Sequence, residues 1–179
     1  LNQEQEFIRA STQKETQLIK QTIVQQMNSK MMALERMAQR WGKLSHKNKD
    51  LWHADARNII AHEAGLRTIE WADSTYHIKW IEPLKGNEQA LGLNILFTEE
   101  RKKMLEKAKN EDRPTITEPL DLVQGYRGFL SYFPVYKNDK FDGFIVGIFD
   151  LNQLLKEALP QQQHSDFLLT IYSEKNKLL

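Results

Sequence analysis

The chain has 179 residues, 40% of them hydrophobic and 27% charged, with a formal net charge of +1. That length supports one domain with an extension or two small lobes, and the near-neutral charge argues against a nucleic-acid binder, which carries a strongly basic face. No cysteine is present, so a disulfide framework, a thiolate zinc site and a cysteine nucleophile are excluded.

Apolar runs fall short of the ~18–20 residues that a membrane span needs. The opening LNQEQEF is not a signal peptide, and with SEKNKLL at the other end the chain reads as a piece of something longer.

Residues 2–44 hold neither Pro nor Gly until Gly42 and are rich in Gln, Glu, Lys and Met, all good helix formers. Apolar positions Ile8, Leu18, Ile19, Ile23, Met27, Met31, Leu34, Ala38 and Trp41 follow helical steps of three and four. A helix of that length is about 60 Å long. It is either a long surface helix on its own domain or a stalk that dimerises and carries signal. The stalk is the reading adopted, because such a helix outruns any core this chain can offer. Thr12 and Glu15 interrupt its apolar stripe, so a permanent coiled coil is not implied.

LSHKNKD breaks the helix, and a second follows over about 48–63, with Trp52, Ala56, Ile59 and Ile60 on one face and Gly65 as its stop. LRTIEWAD reads as a strand with STYHIKWIEPL as its hairpin partner. Alternation places Arg67, Ile69 and Trp71 on one face of the first. In the second it places Tyr76, Ile78 and Trp80 on one face and His77, Lys79 and Ile81 on the other. PLKGNEQALG is a loop.

Thr98 caps the next helix, TEERKKMLEKAKN, which Arg113-Pro114 ends. TITEPLDL is extended. GYRGFLSYFPVYK is a strand in which Tyr126, Gly128, Leu130 and Tyr132 alternate with Arg127, Phe129, Ser131 and Phe133. NDKFDG is a turn, FIVGIFD a strand, LNQLLKEAL a short helix and DFLLTIY a last strand. This order gives an α+β fold: a long N-terminal helix, then an antiparallel sheet of the PAS kind with helices on one side.

A nucleophile elbow, a phosphate loop and a GxGxxG turn are absent. His46, His53, His62, His77 and His164 show no metal-ligand spacing. Glu99 and Glu100 belong to a helix start. Asp73 and His77 offer a base and its orienter, but Asp73 is more simply a turn former. The expectation is a non-enzyme without metal or cofactor.

The aromatic inventory remains: Trp71, Tyr76, Trp80, Tyr126, Phe129, Tyr132, Phe133, Phe144 and Phe149 all fall on expected strands. Singly, each suits a core. As a set, with polar neighbours on the same strands, they suit the wall of a small-molecule pocket. The expected ligand-binding residues are Arg67, Trp71, Asp73, Tyr76, Trp80, Tyr126, Arg127, Phe129 and Ser131, with Arg67 or Arg127 meeting an anionic group.

The stretch from EERKKMLEKAKN through TITEPLDLVQG to SYFPVY resembles the extracellular CHASE sensor domain, in the order of its short motifs over about residues 66–155. The matching positions are Gly92, Asn94, Arg101, Ala108, Thr117, Pro119, Leu122, Gly125, Pro134, Val135 and Tyr136. The resemblance implies an extracytoplasmic sensor held between two membrane spans, with a long stalk helix and one or two PAS-like lobes. Small ligands would sit between the sheet and its covering loops. The family's plant members bind cytokinins, but no residue here transfers adenine recognition. The implied division is a stalk over 1–44, a PAS-like domain over 45–159, and a closing strand or the start of a membrane-proximal lobe over 160–179. The parent would be a membrane-anchored histidine kinase or diguanylate cyclase, homodimeric through the first helix. The alternative is a non-catalytic dimerisation or protein-interaction module that reads a periplasmic partner.

Overall fold

The structure, a computed structural model, describes residues 2–44, 46–122 and 125–159, with Thr170 and Tyr172. Apart from those last two residues, the expected strand DFLLTIY and the segment 160–179 lie outside the described residues.

Helix α1 runs unbroken over Asn2–Lys43, as the lack of Pro throughout and of Gly before Gly42 allows. Only its second half is buried: Leu34, Met37, Ala38 and Trp41 sit against the sheet, while Phe7, Ile8 and Leu18 stay exposed. Helix α2, Lys49–His62, starts where the Asn48 side chain accepts a hydrogen bond from Leu51 N at 3.1 Å. It buries Trp52, Ala56 and Ile59, one helical face.

The strands are β1 Leu66–Asp73, β2 Ile78–Glu82, β3 Thr115–Ile116, β4 Leu120–Asp121, β5 Arg127–Lys137 and β6 Lys140–Asp150. Among the described residues they form one antiparallel sheet in the order β2-β1-β6-β5-β3, with β4 also paired to β5. Between β2 and β3 lies helix α3, Glu99–Glu111. Its N-cap Thr98 accepts from Arg101 N at 3.2 Å. Helix α4, Leu151–Ala158, follows β6 directly, with Asp150 as its cap.

The turn between β5 and β6 is shorter than the expected NDKFDG. Asn138 and Asp139 both adopt left-handed conformations, with φ of 50° and 59°. Such a two-residue turn matches strand twist, so Lys140–Asp142 joins β6 and Lys137 pairs with Lys140.

Helices cover both faces of the sheet, not one. Helices α1, α2 and α4 close one face over Ile69, Trp71, Phe129, Phe133, Ile145 and Phe149. Helix α3 and the segment leading to it close the other, over Ala72, Ile78, Leu130, Tyr132, Phe144, Val146 and Ile148. Strand β6 is therefore buried continuously from Gly143 to Asp150, and alternation vanishes where both faces are covered.

Two bulges revise the expected facing. Trp71 pairs with Trp80 but Ala72 pairs with Ile78, so Lys79 is an extra residue. Ile78 and Trp80 therefore point to opposite faces rather than sharing one. Leu66 pairs with Phe149 and Thr68 with Ile148, which leaves Arg67 unpaired. Arg67 thus parts from Ile69 and Trp71, while Thr68, Glu70 and Ala72 turn toward α3.

Candidate ligand-binding site

The structure divides the nine residues expected at one pocket among three places. Trp71, Trp80, Phe129 and Ser131 lie under α1 and α2. Trp71 and Trp80 join Trp41 and Trp52, so all four tryptophans of the chain form one cluster, with successive ring centroids 5.6–6.5 Å apart. Lys47 Nζ stands 3.9 Å over the Trp71 ring. Ser131 is fully buried and donates to the Gly147 carbonyl at 3.4 Å. Phe129 stacks on Phe149 at 4.9 Å and lines an apolar hollow of about 250 Å³ beneath α1 and α4, where only Gln26 and Thr117 are polar. Arg127 begins the same strand opposite Asp121, and its buried Nε has no partner among the described residues.

Asp73 and Tyr76 mark the β1–β2 turn. Asp73 Oδ1 accepts from Thr75 N at 2.9 Å, Thr75 Oγ1 at 2.6 Å and His77 N at 3.2 Å. Partial burial pushes the Asp73 carboxyl up, but these bonds and Lys79 together outweigh it and hold it below its ordinary value. Tyr76 sits at φ 66° and packs on Phe141 and Phe144.

Arg67 and Tyr126 do meet, at the opposite end of β1, with the guanidinium 5.8 Å from the ring centroid. Burial pushes the Tyr126 hydroxyl up, against the pull of Arg67. Together with Thr68, Pro83, Asn87 and Gln153 they line a cleft of about 470 Å³. Thr68 faces α3, and the next residue inward on that face is Glu70.

Glu70 is 2% exposed, and burial and the charge of Arg101 act on its carboxyl. In the sheet register it lies beside Val146, and Tyr132 lies beside Val146 on the far side. At the strand spacing of a sheet, the Glu70 and Tyr132 backbones are roughly 10 Å apart. The Tyr132 hydroxyl is buried without a partner among the described residues. From α3, Arg101 acts on both groups while its guanidinium stacks on Phe97 at 4.1 Å.

Burial raises the Glu70 carboxyl to about 7, opposed by Arg101. Burial likewise pushes the Tyr132 phenol up to about 12, with Arg101 opposing and Glu70 adding to the rise. In such a setting an unpaired polar group is costly, and a ligand that pairs it recovers the cost.

Sequence reasoning did not place Thr68, Glu70, Arg101 or Tyr132 at the site. A signal existed for Glu70, which is a lone acid in the apolar run Ile69-Glu70-Trp71-Ala72. Tyr132 gave none, because buried tyrosines usually find a partner for the hydroxyl.

The family model described as CHASE domain matches residues 7–178. No curated protein matches the chain in sequence. Among solved structures, the ligand-binding domain of the Pseudomonas fluorescens chemoreceptor CtaA in complex with L-serine superposes with a TM-score of 0.70 at 16% identity, covering 98% of this chain and 72% of that one. The sensory domain of a Campylobacter jejuni chemoreceptor gives a TM-score of 0.63 at 15% identity, covering 98% and 73%. The ligand-binding domain of the Pseudomonas aeruginosa amino acid chemoreceptor PctC with GABA gives 0.61 at 13%, covering 86% and 64%. The chain spans only 25% of an extracellular ligand binding receptor from Desulfohalobium retbaense, which it matches with a TM-score of 0.62 at 16% identity over 76% of its own length. These likenesses are of fold.

Proposed function

The chain belongs to the CHASE domain family, and on that premise we propose that it is the extracytoplasmic small-molecule sensor domain of a transmembrane receptor. The ligand sits between the sheet and α3. It contacts Thr68, Glu70 and Tyr132 inside, with Arg67 and Tyr126 at the mouth. The observation that carries this reading is the buried Tyr132 hydroxyl, which finds no hydrogen bond among the described residues, on the same face as the Glu70 carboxyl, which is 2% exposed and acted on by burial and Arg101. Chemoreceptor domains of the same fold, with L-serine or GABA bound, support it by likeness of fold.

In this reading residues 1–44 act as a stalk and 45–159 as the sensing domain. The receptor is a homodimer through α1, where Phe7, Ile8, Leu18, Val24 and Met32 are exposed. Its output is a histidine kinase or a diguanylate cyclase. Ligand binding biases two arrangements of α1, by only the ligand's differential affinity for them, typically about 1–3 kcal/mol. The tryptophan cluster links β1 and β2 to α1 and α2, and so carries sheet movement to the helix.

Isothermal titration and thermal-shift assays with metabolite sets test the pocket. At least one compound is expected to raise the melting temperature, and Tyr132→Phe to weaken its binding about tenfold, the worth of one buried hydrogen bond. A screen in which no compound class stabilises the protein removes the reading. An interaction module is favoured by one observation: Leu91, Leu93 and Phe97 are exposed. A Leu93→Ser/Phe97→Ser variant of the full receptor decides between the two. Signalling survives it if the ligand pocket is the sensor, and is lost if those side chains hold a partner.

A further inference from the structure

A deeper inference rests on the ligand-sensing reading and concerns the chemistry of what binds. Glu70 is placed where an apolar side chain would serve the fold better. Ile69, Trp71 and Ala72 beside it in β1 are buried, as are its cross-strand neighbours Ile81 and Val146. On the α3 side lie Leu105 and Ala108, also buried. A carboxylate in such surroundings needs a positive or hydrogen-bonding partner, and burial without one opposes folding.

The charged and titratable groups around it do not supply that partner. Arg101 of α3 acts from a distance, with its guanidinium stacked on Phe97. Arg67 of β1 is engaged with Tyr126. Asp150, at the end of β6, caps α4 through Gln153 N at 3.1 Å and is itself negative. Tyr132 of β5, across Val146, has a hydroxyl that is itself unpartnered. No ion pair to Glu70 forms among the described residues, and the unpartnered Tyr132 hydroxyl lies in the same row of the sheet, so a cation with a second polar group suits both.

We propose that the α3 face of the sheet receives a compact organic ammonium ion, whose N–H groups donate to Glu70 while a hydroxyl, carbonyl or carboxylate elsewhere on the molecule pairs with the Tyr132 hydroxyl. Two consequences follow. An analogue lacking the ammonium group leaves Glu70 unpaired and binds far more weakly, since a site built to hydrogen-bond a polar group strongly rejects the analogue without it. Binding also requires Glu70 ionised. Burial holds its carboxyl near 7, so the domain releases a proton as it takes up the cation. Affinity is then about tenfold weaker at pH 6 than at pH 8.

The test is isothermal titration of the purified domain at pH 6 and pH 8, with matched pairs of compounds. L-alanine is set against propionate, GABA against butyrate, and ethanolamine against ethylene glycol. The expected result is that an ammonium compound binds, its partner does not, and the affinity drops about tenfold at pH 6. Glu70→Gln is expected to lose that binding at least tenfold and flatten the pH dependence, whereas Tyr132→Phe weakens binding and leaves the pH dependence in place. An ammonium-free compound that binds as well as its partner overturns this inference and leaves the pocket reading standing. So does binding that Glu70→Gln leaves intact. If neither member of any pair binds, the ammonium inference falls, and the broader metabolite screen then decides the pocket reading separately.

Discussion

Glu70 ties the stability of the domain to pH through a single carboxyl. Its value in the unfolded chain is near 4.5 and in the fold about 7, so the folded state holds the extra proton between those values. Stability from this group therefore falls as pH rises from 4.5 to 7, and the full penalty persists above 7. A shift of that size corresponds to about 3 kcal/mol. Glu70→Gln is expected to stabilise the domain at pH 8 by up to that amount and to change little at pH 4, as read by urea unfolding at both values. An equal gain at the two pH values would remove titration as the cause. Asp73 behaves oppositely. Its folded carboxyl lies below the ordinary value, so its contribution is present at neutral pH and is lost on acidification. Asp73→Ala is expected to cost about 1 kcal/mol or somewhat more at pH 7, because three donors at the turn lose their acceptor.

Among the elements, α1 is buried along its second half and exposed along its first. Its second half completes the core, and Met37→Ala is expected to cost roughly 2–5 kcal/mol, the range for a buried methionine cut to alanine. Phe7→Ser, at a 75% exposed position, is expected to change stability by no more than about 0.5 kcal/mol in the same urea assay. Gly42 shows tertiary contact overriding local preference. Alanine there would gain about 1 kcal/mol by helix propensity. Its Cβ, however, would stand 2.4 Å from the Tyr136 carbonyl oxygen, a backbone atom that cannot rotate aside. Gly42→Ala is expected to lower the melting temperature, and a rise would show that α1 is free to shift at this contact. Lys30 ties α1 to its neighbours: it is 3% exposed and its Nζ lies 3.1 Å from Glu157 of α4 and 3.7 Å from Glu63 after α2.

Taken whole, the molecule is a sheet covered on both faces by helices. The face under α3 holds the proposed ligand groups, and the face under α1 and α2 holds the tryptophan cluster. One layer of strands separates them, and Glu70 and Trp71 are adjacent residues of β1 that serve opposite faces. Dimerisation belongs to this scale. If α1 forms the receptor's homodimer seam, Val24→Asp with Met32→Asp is expected to shift the domain toward monomer in sedimentation while leaving its melting temperature nearly unchanged, since both side chains are about half exposed. A dimer that survives this pair of charges excludes that seam.

Local rules alone were enough to locate most elements. Missing Pro and Gly specified α1, Thr98 marked the start of α3, and the turn residues separated β5 from β6. The order of motifs from Arg101 to Tyr136 also pointed to the family. Which face each strand residue serves was a different matter. The bulges at Arg67 and Lys79 each invert the facing of a strand segment, and a pattern with a period of two carries no mark of one inserted residue. Covering both faces of the sheet also made core and pocket aromatics look alike along the chain. Only the packed structure shows Trp71, Trp80, Phe129 and Ser131 on one face and Glu70 with Tyr132 on the other, because burial without a partner is a property of what surrounds a residue in space and not of its neighbours in sequence.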